Sequence, residues 1–499
     1  MQFTAPALAD AKFKPQYPEA LFIGGEWRAP ATGERLRLIS PISEEEIGSL
    51  PAAAPADIDA AGAAARAAFD HGPWPRMSVA ERAEVMGRLS QALIDTAEPM
   101  GYLWTLEAGA PAFFTQHLAQ AGNFLTTYYA QLAQETRFVD VRPAMMGGYG
   151  LVVREPIGVV AAVVPWNAPV FSILIKLAPA LMAGCTMVVK PSPETPLSAY
   201  ILAECIEQAG FPKGVVNIVA ADREASDHLI RHPGIDKVSF TGSTGTGAHI
   251  MKANADRFTR VTTELGGKSA AIVLDDADMA KVIPALSGQV IGNCGQLCIA
   301  LTRVLVPRAR QDEWAEALAA GLDQVRIGDP FDMETQIGTL AMKRQFERVS
   351  GYVETGLAEG ARLVTGGGRP ANIERGYFFQ PTLFANGHNQ MRIAREEIFG
   401  PVITMIPYDS VDEAVAIAND SDYGLHGAVF TDDVERAWSI ARRLETGSVG
   451  MNSNTVDLGC PVGGWKHSGI GREGGPEGLF NFTELKTVYL PELPAGITA

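Results

Sequence analysis

Residues 158–190 read GVVAAVVPWNAPVFSILIKLAPALMAGCTMVVK, and this stretch decides the fold class. The run Val159 to Val164 is short and continuously apolar, which is typical of a strand that is buried on both faces. Pro165 and Pro169 interrupt any helix that would begin in this run, so a helix is predicted only after Pro169. The next apolar run, Met187 to Val189, predicts a second strand. The order strand, helix, strand indicates a βαβ unit with parallel strands.

The same alternation continues after this stretch. A helix, a strand, a helix and a strand are predicted in turn at Leu197 to Gln208, Val215 to Val219, Ala225 to His232 and Lys237 to Phe240. A second α/β series begins near Ala270 and runs to about Val462. We therefore expect parallel sheets covered by helices, with ligands at the carboxyl ends of the strands.

Segments outside the two series predict helices near the start of the chain and β-structure elsewhere. Helices are predicted at Asp57 to Phe69 and at Val79 to Leu106, the second with Ser78 as its N-cap. The segment Phe138 to Val153 is typical of a hairpin. Residues 482–489 predict a late strand that pairs with this hairpin or with another subunit.

Composition and charge limit the class of protein. A chain of 499 residues, 47% hydrophobic and 20% charged, predicts two or three packed units of a globular protein. The net charge of −16 disfavours nucleic acid and anionic membrane as partners. Five cysteines, an odd number in mostly apolar sequence, do not fit a disulfide framework. With no export or lipidation signal recognised, a cytoplasmic location is expected.

One stretch resembles a membrane span in length. Residues 156–175 contain no charged side chain, and a spanning helix needs about 20 apolar residues. Pro165 and Pro169 favour strand, loop and helix instead. We therefore expect no membrane association.

The segment GNCGQLC at residues 292–298 contains a candidate nucleophile, Cys298. Its glycines permit a tight turn, but taken alone the segment favours a buried structural thiol, which is the usual state of a free cysteine. Cys294 is interpreted as structural. The spacing of the two thiols could suit a metal, but no further Cys or His cluster completes four ligands, so no metal site is expected.

The segment TELGGKS at residues 263–269 follows an expected strand. Glu264 at a strand end can serve as a general base, although a solvated glutamate is the simpler interpretation of this segment alone. The end of the segment imitates a phosphate-binding loop. Position 262 is a threonine where such a loop requires glycine, so that interpretation fails.

Two further turns could face a ligand. The segment FTGSTGTG at residues 240–247 leads from strand into helix, where amides can bind a pyrophosphate, or where the turn is merely tight. After Val164, the side chain of Asn167 can donate to an oxyanion. Lys190 ends the next strand and can reach ribose hydroxyls. A structural turn and a solvated lysine are the alternatives.

Together, these four motifs resemble the aldehyde dehydrogenase superfamily from about Leu21 to Leu490. They occur in the family's order, and 34 residues separate Glu264 from Cys298. Further matches are EIFGP at residues 397–401 and GGWKHSGIGRE at residues 463–473. This ordered set outweighs the simpler interpretation of each motif.

The resemblance implies oxidation of an aldehyde to a carboxylic acid with NAD(P)+. Cys298 would add to the carbonyl, while the Asn167 side chain and the Cys298 N–H hold the oxyanion. Glu264 would activate the water that hydrolyses the thioester, with Lys176 in the proton relay. Rivals are a CoA-acylating enzyme, which Glu264 disfavours, and a binding protein without turnover, which the retained Cys298, Glu264 and Asn167 disfavour.

The resemblance also implies a cofactor groove. Ser243 would contact the pyrophosphate, Lys190 the adenosine ribose, and Glu397 with Phe399 the nicotinamide side. The remaining predicted cofactor-binding residues are Pro165, Trp166, Ser192, Gly242 and Leu265. NAD is expected, and NADP is possible, because Pro193 replaces a carboxylate that would repel a 2′-phosphate and Arg223 lies in a nearby loop.

The predicted substrate tunnel departs from the small-aldehyde pattern. Aliphatic or small residues stand at its positions: Ala168, Ile175, Leu297, Ile299, Leu458 and Val462. This surface predicts a medium or bulky hydrophobic aldehyde, such as a terpenoid, aryl or medium-chain one.

The implied fold is α/β with three regions. They are a Rossmann-type dinucleotide-binding domain at residues 1–137 and 155–265, an α/β catalytic domain at 266–477, and a small β oligomerisation element at 138–154 and 478–499. A homodimer or homotetramer is expected.

Overall fold

The computed structural model describes residues 1–495 and 497. The predicted segment 478–499 therefore includes three residues, 496, 498 and 499, that lie outside the described residues. The helices are α1 Pro55–Asp70, α2 Val79–Asp95, α3 Ala97–Ala108, α4 Ala112–Glu135, α5 Pro169–Ala183, α6 Leu197–Ala209, α7 Arg223–Arg231, α8 Thr244–Asn254, α9 Met279–Ile291, α10 Gln311–Asp323, α11 Lys343–Ala358, α12 Arg392–Arg395, α13 Val411–Asn419, α14 Val434–Ala441 and α15 Gly475–Phe480.

The strands alternate with these helices along most of the chain. They are β1 Leu21–Ile23, β2 Glu26–Arg28, β3 Arg35–Ile39, β4 Glu46–Pro51, β5 Val139–Pro143, β6 Tyr149–Pro156, β7 Val159–Val163, β8 Thr186–Lys190, β9 Val216–Ile218, β10 Lys237–Thr241, β11 Arg260–Glu264, β12 Ala270–Val273, β13 Arg303–Pro307, β14 Arg362–Thr365, β15 Thr382–Ala385, β16 Val402–Tyr408, β17 Tyr423–Gly424, β18 His426–Phe430, β19 Ser448–Met451, β20 Trp465–Lys466, β21 Gly469–Ile470 and β22 Thr483–Leu490. The predicted α/β alternation is confirmed.

The first sheet has the strand order β2-β1-β9-β8-β7-β10-β11-β21. Strands β7 to β11 run parallel, while β1 and β21 join antiparallel at the two sides. Alternate residues of β7 face opposite cores: Val160 and Ala162 pack with α2 to α6, and Val159 and Ala161 pack with α1 and α7. Helices cover both faces, which explains why the strand is continuously apolar.

The second sheet has the order β14-β15-β16-β13-β12-β18-β19, and all neighbours are parallel except β14 with β15. It too has apolar cores on both faces, with Ile272 of β12 in one and Val273 in the other. The chain thus contains two parallel sheets, each buried between helices.

A third sheet has the order β22-β6-β5. The predicted hairpin corresponds to β5 and β6, and the late strand β22 pairs with β6 along its whole length, from Thr483 opposite Pro156 to Leu490 opposite Tyr149. Of the two pairings that the sequence left open for this strand, pairing with the hairpin is confirmed.

The predicted helical run from Val79 to Leu106 is two helices, α2 and α3, that meet at Thr96. The capping box at its start is confirmed: Ser78 Oγ accepts from the Glu81 N–H at 3.2 Å, and Glu81 Oε2 accepts from the Ser78 N–H at 2.7 Å. In the part of the chain that the structure describes, no helix has both the length and the apolar character needed to cross a bilayer.

Candidate active site

The candidate site lies where loops from the two large sheets meet. In the first sheet, the relevant residues follow or end strands. Asn167 lies in the loop after β7, Lys190 ends β8, Ser243 follows β10 and Glu264 ends β11. Parallel strands bring their carboxyl ends to one edge, so these four residues share the carboxyl edge of the first sheet.

In the second sheet, the relevant residues precede strands. Gly266 and Gly267 come before β12, Cys298 before β13, and Glu397 and Phe399 before β16. Their loops therefore lie at the amino edge of this sheet.

Direct contacts show that the two edges face each other. The Asn167 side chain donates to the Gln296 carbonyl at 2.9 Å, two residues before Cys298. The rings of Trp166 and Phe399 meet edge to face, with centroids 5.4 Å apart. Residues that were predicted separately thus come together between the sheets.

The turn before Cys298 has an unusual backbone. Asn293, Cys294 and Gly295 all have positive φ angles, 47°, 57° and 72°, a conformation that costs free energy for residues other than glycine. The Asn293 side chain holds the turn by donating to the Asn167 carbonyl at 2.8 Å. Gln296 anchors its other end, since it donates to the Asn293 carbonyl and accepts from the Ala341 N–H, each at 3.0 Å.

The two thiols of this turn have different environments. Cys294 is fully buried, whereas Cys298 keeps partial exposure. Burial, followed by the nearby carboxylates of Glu397 and Glu264, raises the pKa of Cys298 to about 12, against the lowering effect of the N–H groups of Cys298 and Ile299. The resting thiol is protonated at neutral pH, and its reaction as a thiolate requires a proton acceptor.

Two glycines of the β11–β12 connection pack closely against the Cys298 turn and against Glu397. A Cβ atom on Gly267 would lie 2.4 Å from the Cys298 carbonyl oxygen, and one on Gly266 would lie 2.3 Å from a Glu397 carboxylate oxygen. The Gly267 N–H also donates to Glu397 Oε1 at 3.0 Å. Cys298, Glu397 and the two glycines therefore form one packed unit.

Glu264 is a buried carboxylate, 8% exposed. Its Oε1 atom accepts no hydrogen bond from any residue that the structure describes. Burial and then the negative charge of Glu473 raise the pKa of Glu264 well above its ordinary range, opposed by Lys176 and Arg472. A carboxylate with such a raised pKa is a stronger base than an exposed one.

Lys176, whose charge opposes the rise in the pKa of Glu264, is fully buried. Its Nζ atom pairs with Glu473 Oε1 and donates to Thr241 Oγ1 at 2.7 Å. Glu473 was not predicted as a site residue, although it ends the matched segment at residues 463–473. Its 297-residue separation from Lys176 left no local signal of the pairing.

The predicted pyrophosphate contact lies at the start of α8. Ser243 caps this helix, its Oγ accepting from the Thr246 N–H at 3.3 Å. The Gly242 N–H donates to the Glu264 carbonyl at 3.0 Å, and the side chain of Leu265 packs against Gly247. A Cβ atom on Gly245 would meet nothing within 4 Å among the described residues. The helix start is therefore open to a ligand.

Lys190 is 6% exposed, and burial lowers its pKa to about 8 despite the negative charges of Glu194 and Asp222. Glu194, which follows Pro193, was not among the predicted cofactor contacts. Although position 193 lacks a carboxylate, the next residue places one near Lys190, where it contacts the buried Ser192 hydroxyl and pairs with Arg344 at 2.6 Å. The possible use of NADP, argued from Pro193, stays a prediction.

The nicotinamide side contains the remaining predicted contacts. Phe399 has a φ of 63°, and this left-handed backbone presents its ring to Trp166, which follows Pro165. Burial raises the pKa of Glu397, opposed by the Gly267 N–H and by Arg348 and Lys268. Glu397 thus lies between a backbone donor and two cationic side chains.

Three of the six predicted tunnel residues fall in two adjoining apolar clusters. Ile175 and Leu458 belong to the larger core, whereas Ala168 packs in a small cluster with Trp104 and Trp166. Phe171 packs against both clusters and was not predicted, although helical spacing places it three residues after Ala168. Leu297, Ile299 and Val462 are half-buried.

Comparison with known proteins gives consistent similarities. Residues 27–488 match the model of the aldehyde dehydrogenase family. The geranial dehydrogenase of Castellaniella defragrans is 45% identical, covering 94% of this chain and 98% of that protein.

Two solved structures extend the similarity to the fold. An aldehyde dehydrogenase of Mycobacterium tuberculosis complexed with NAD+ is 44% identical, with a TM-score of 0.93 over 96% of this chain and 99% of that one. Aldehyde dehydrogenase C of Pseudomonas syringae, a mutant complexed with NAD+ and octanal, is 39% identical, with a TM-score of 0.93 over 98% of this chain and 100% of that one. The predicted fold class is confirmed.

Proposed function

This chain belongs to the aldehyde dehydrogenase family, and from that premise we propose that it oxidises a hydrophobic aldehyde to the carboxylic acid with NAD+. The observation that carries the proposal is the meeting of Cys298, Asn167 and Glu264 between the two sheet edges. A nucleophile, an oxyanion donor and a base are the three groups that acyl transfer through a thioester requires.

In the first step, the Cys298 sulfur bonds to the carbonyl carbon and the carbonyl oxygen becomes an oxyanion. Its donors are the Asn167 side-chain amide, already directed at the Gln296 carbonyl beside the nucleophile, and the Cys298 N–H. Glu264, whose charge acts on the Cys298 thiol, is the group proposed to accept the thiol proton.

In the second stage, Glu264, after passing on the thiol proton, takes a proton from water, and the hydroxide attacks the thioester carbon to release the acid and the Cys298 thiolate. The base then passes its proton on. The buried pair of Lys176 with Glu473, which influences the Glu264 pKa, supports a relay from the site into the protein. Water as the acceptor distinguishes this reaction from the CoA-acylating alternative.

The residues of the groove fit a dinucleotide. The open start of α8 supplies amides for a pyrophosphate, the buried Lys190 an ammonium for ribose hydroxyls, and Glu397 a carboxylate for the nicotinamide side. Bound NAD+ would supply the acceptor for the hydride that the substrate carbon loses. NAD+ is the proposed cofactor, in line with the NAD+ complexes among the similar structures. NADP+ is the cofactor to compare, because position 193 lacks a carboxylate and Glu194 is paired with Arg344. Arg223 begins helix α7 rather than lying in a loop.

The substrate class rests on the apolar surface near Asn167. Ala168 follows this residue directly, and its small cluster adjoins a pocket lined by Met100, Trp104, Leu118, Ala119, Pro169, Val170, Phe171 and Ser198. Among the similar proteins, one is named for geranial and another was crystallised with octanal. Both names favour a terpenoid or medium-chain aldehyde.

The third sheet is the proposed oligomerisation element. It exposes several apolar side chains, which suit contact with another subunit: Val139, Leu485, Val488 and Tyr489. Strand β5 pairs with β6 alone among the described strands. A dimer or tetramer is proposed, and a monomeric mass in sedimentation velocity would contradict it.

One experiment tests cofactor, substrate and acceptor together. Reduced cofactor is recorded with NAD+ or NADP+ over a panel of geranial, octanal, benzaldehyde, acetaldehyde and succinic semialdehyde, with and without CoA. We expect the highest kcat/KM for a hydrophobic aldehyde with NAD+, free acid as product, and no effect of CoA. Acetaldehyde or the semialdehyde as the best substrate would contradict the substrate class, and acyl-CoA as product would contradict hydrolysis.

A further inference from the structure

A pocket with several polar side chains in its wall lies at the amino ends of three neighbouring strands of the second sheet. Lys268 and Ser269 precede β12, Arg303 begins β13 and His426 begins β18. The remaining wall is formed mainly by the β17–β18 region and the end of α13. The pocket has room for about one water-sized group.

Three buried polar atoms of this pocket lack partners. Lys268 Nζ, Ser269 Oγ and His426 Nε2 make no hydrogen bond with any residue in the described part of the chain. The three residues are only 2%, 3% and 1% exposed. A buried polar group without a partner is costly, most of all when it is charged, so this set requires an occupant that accepts hydrogen bonds.

The charges around the pocket favour a negative occupant. Arg303 is buried beside Lys268 and donates to the carbonyls of Lys268, Ile417 and Ala418 and to the Asn389 amide oxygen. None of these four acceptors carries a formal charge. Two buried cationic side chains therefore lie side by side without a carboxylate hydrogen-bonded to either among the described residues.

The pKa shifts of Lys268 and His426 agree with a negatively charged occupant. Burial, and then the Arg303 charge, lowers the pKa of Lys268 to about 7, with Arg348 acting in the same direction and Glu397 and Glu396 opposing. Burial lowers the pKa of His426 to about 4, so its ring is neutral at pH 7. Its Nδ1 pairs with Ser448 Oγ at 2.8 Å, and when Nδ1 accepts from that hydroxyl, Nε2 carries the proton and donates.

We propose that this pocket binds a monatomic anion such as chloride, held by the Lys268 ammonium, the Ser269 hydroxyl and the His426 ring N–H. All three are donors, and all three residues line the same small pocket. The site is distinct from the proposed catalytic residues, although Lys268 lies near Glu397, a proposed cofactor contact, and it does not depend on the proposed reaction. Because Lys268 directly follows Gly267, whose N–H binds Glu397, the anion would also hold in place the segment that supports Glu397.

The first test uses the wild-type protein. Thermal unfolding is followed at pH 7 and constant ionic strength while sodium chloride or bromide replaces sodium gluconate. We expect a saturable rise in Tm of about 2 °C. A crystal grown in sodium bromide should show an anomalous peak in the pocket. Equal Tm values in the three salts, or density for water only, would overturn the proposal, and bromide bound without a Tm response would count as an adventitious ion only.

Variants connect the Tm response to the pocket. Lys268→Met should abolish the halide-dependent rise in Tm, and Ser269→Ala should reduce it. Lys14→Met changes an exposed lysine that is distant in sequence from the pocket residues. This variant should keep the full halide-dependent rise in Tm. If Lys268→Met does not fold, the Ser269→Ala protein and the bromide crystal decide the matter. An unchanged halide response in Ser269→Ala together with an empty anomalous map would refute the assignment.

Discussion

The carboxyl edge of the first sheet and the amino edge of the second contribute different parts of the candidate site. The first edge holds the proposed base, the oxyanion donor and the adenosine-side contacts. The second holds the proposed nucleophile and Glu397. Since each edge carries only some of the groups that the reaction needs, the site belongs to the boundary between the sheets rather than to either one.

The two edges also position their side chains in different ways. On the first edge, Lys190 and Glu264 end strands, where the sheet itself fixes the backbone, and Asn167 and Ser243 follow strands closely. On the second, Cys298 lies beyond a left-handed turn that Asn293 and Gln296 tie to neighbouring loops. A strand end needs little local support, whereas the nucleophile depends on a network of hydrogen bonds across the boundary.

Removal of the nucleophile from the second edge should have the largest effect. Cys298→Ala is expected to lower kcat by about 10^4-fold or more, because no other thiol can take its place in covalent catalysis. The measurement is steady-state NADH production with the best aldehyde. Cys294→Ala, in the same turn but fully buried, serves as the matched control and should keep most of its turnover. Wild-type rates in Cys298→Ala would disprove the proposed role of this edge.

Removal of the base from the first edge should have the next largest effect. Glu264→Gln is expected to lower kcat by about 10^2- to 10^4-fold, because both proposed proton transfers, from the Cys298 thiol and from the hydrolytic water, then lack their base. Steady-state NADH production with the best aldehyde measures the loss, and a wild-type kcat would contradict the role of Glu264.

The pH dependence of the deacylation rate tests the assignment of Glu264 as the base. Since the pKa of Glu264 is raised and the base acts when deprotonated, the wild-type deacylation rate should rise with pH through a value above the ordinary range of a carboxyl group. Glu264→Gln should lose this limb of the profile. A profile that is the same in both proteins would assign the titration to another residue.

The smallest effect is expected for a residue that is proposed only to bind the cofactor. Lys190→Met should raise KM for NAD+ by about tenfold, as the loss of one charged hydrogen bond predicts, with kcat much less affected. Lys213→Met, which changes an exposed lysine paired with Glu26, is the control and should leave KM unchanged. An equal fall in kcat and kcat/KM would instead place Lys190 in the transition state.

The fold could be predicted from the sequence because its strands are buried on both faces. Such strands are unbroken apolar runs, and prolines and glycines separate them from helices, as at Val159 and Pro169. The first edge followed from the same pattern, since a polar residue after an apolar run lies at a strand end. Local pattern alone therefore named Asn167, Lys190 and Glu264 as candidates, but each motif by itself favoured a structural or solvated side chain until the family resemblance was added.

The second edge was less accessible to local reasoning. The segment around Cys298, taken alone, favours a structural thiol, and the left-handed turn that exposes this residue has no simple sequence signature beyond its glycines. Glu473 and Glu194 were missed for other reasons. Glu473 is distant in the chain from its partner Lys176. Glu194 lies one residue after Pro193, the position from which the cofactor preference was predicted.

The pairing of Lys176 with Glu473 has a consequence for synthesis on the ribosome. Lys176 is made 297 residues before its partner, and β21, which completes the first sheet, is also a late segment. A nascent chain that has exposed only its first half therefore holds a lysine in apolar surroundings without its counter-charge. The first sheet cannot reach its final electrostatic state until nearly the whole polypeptide has emerged, so truncation near the C-terminus would damage the earliest part of the fold.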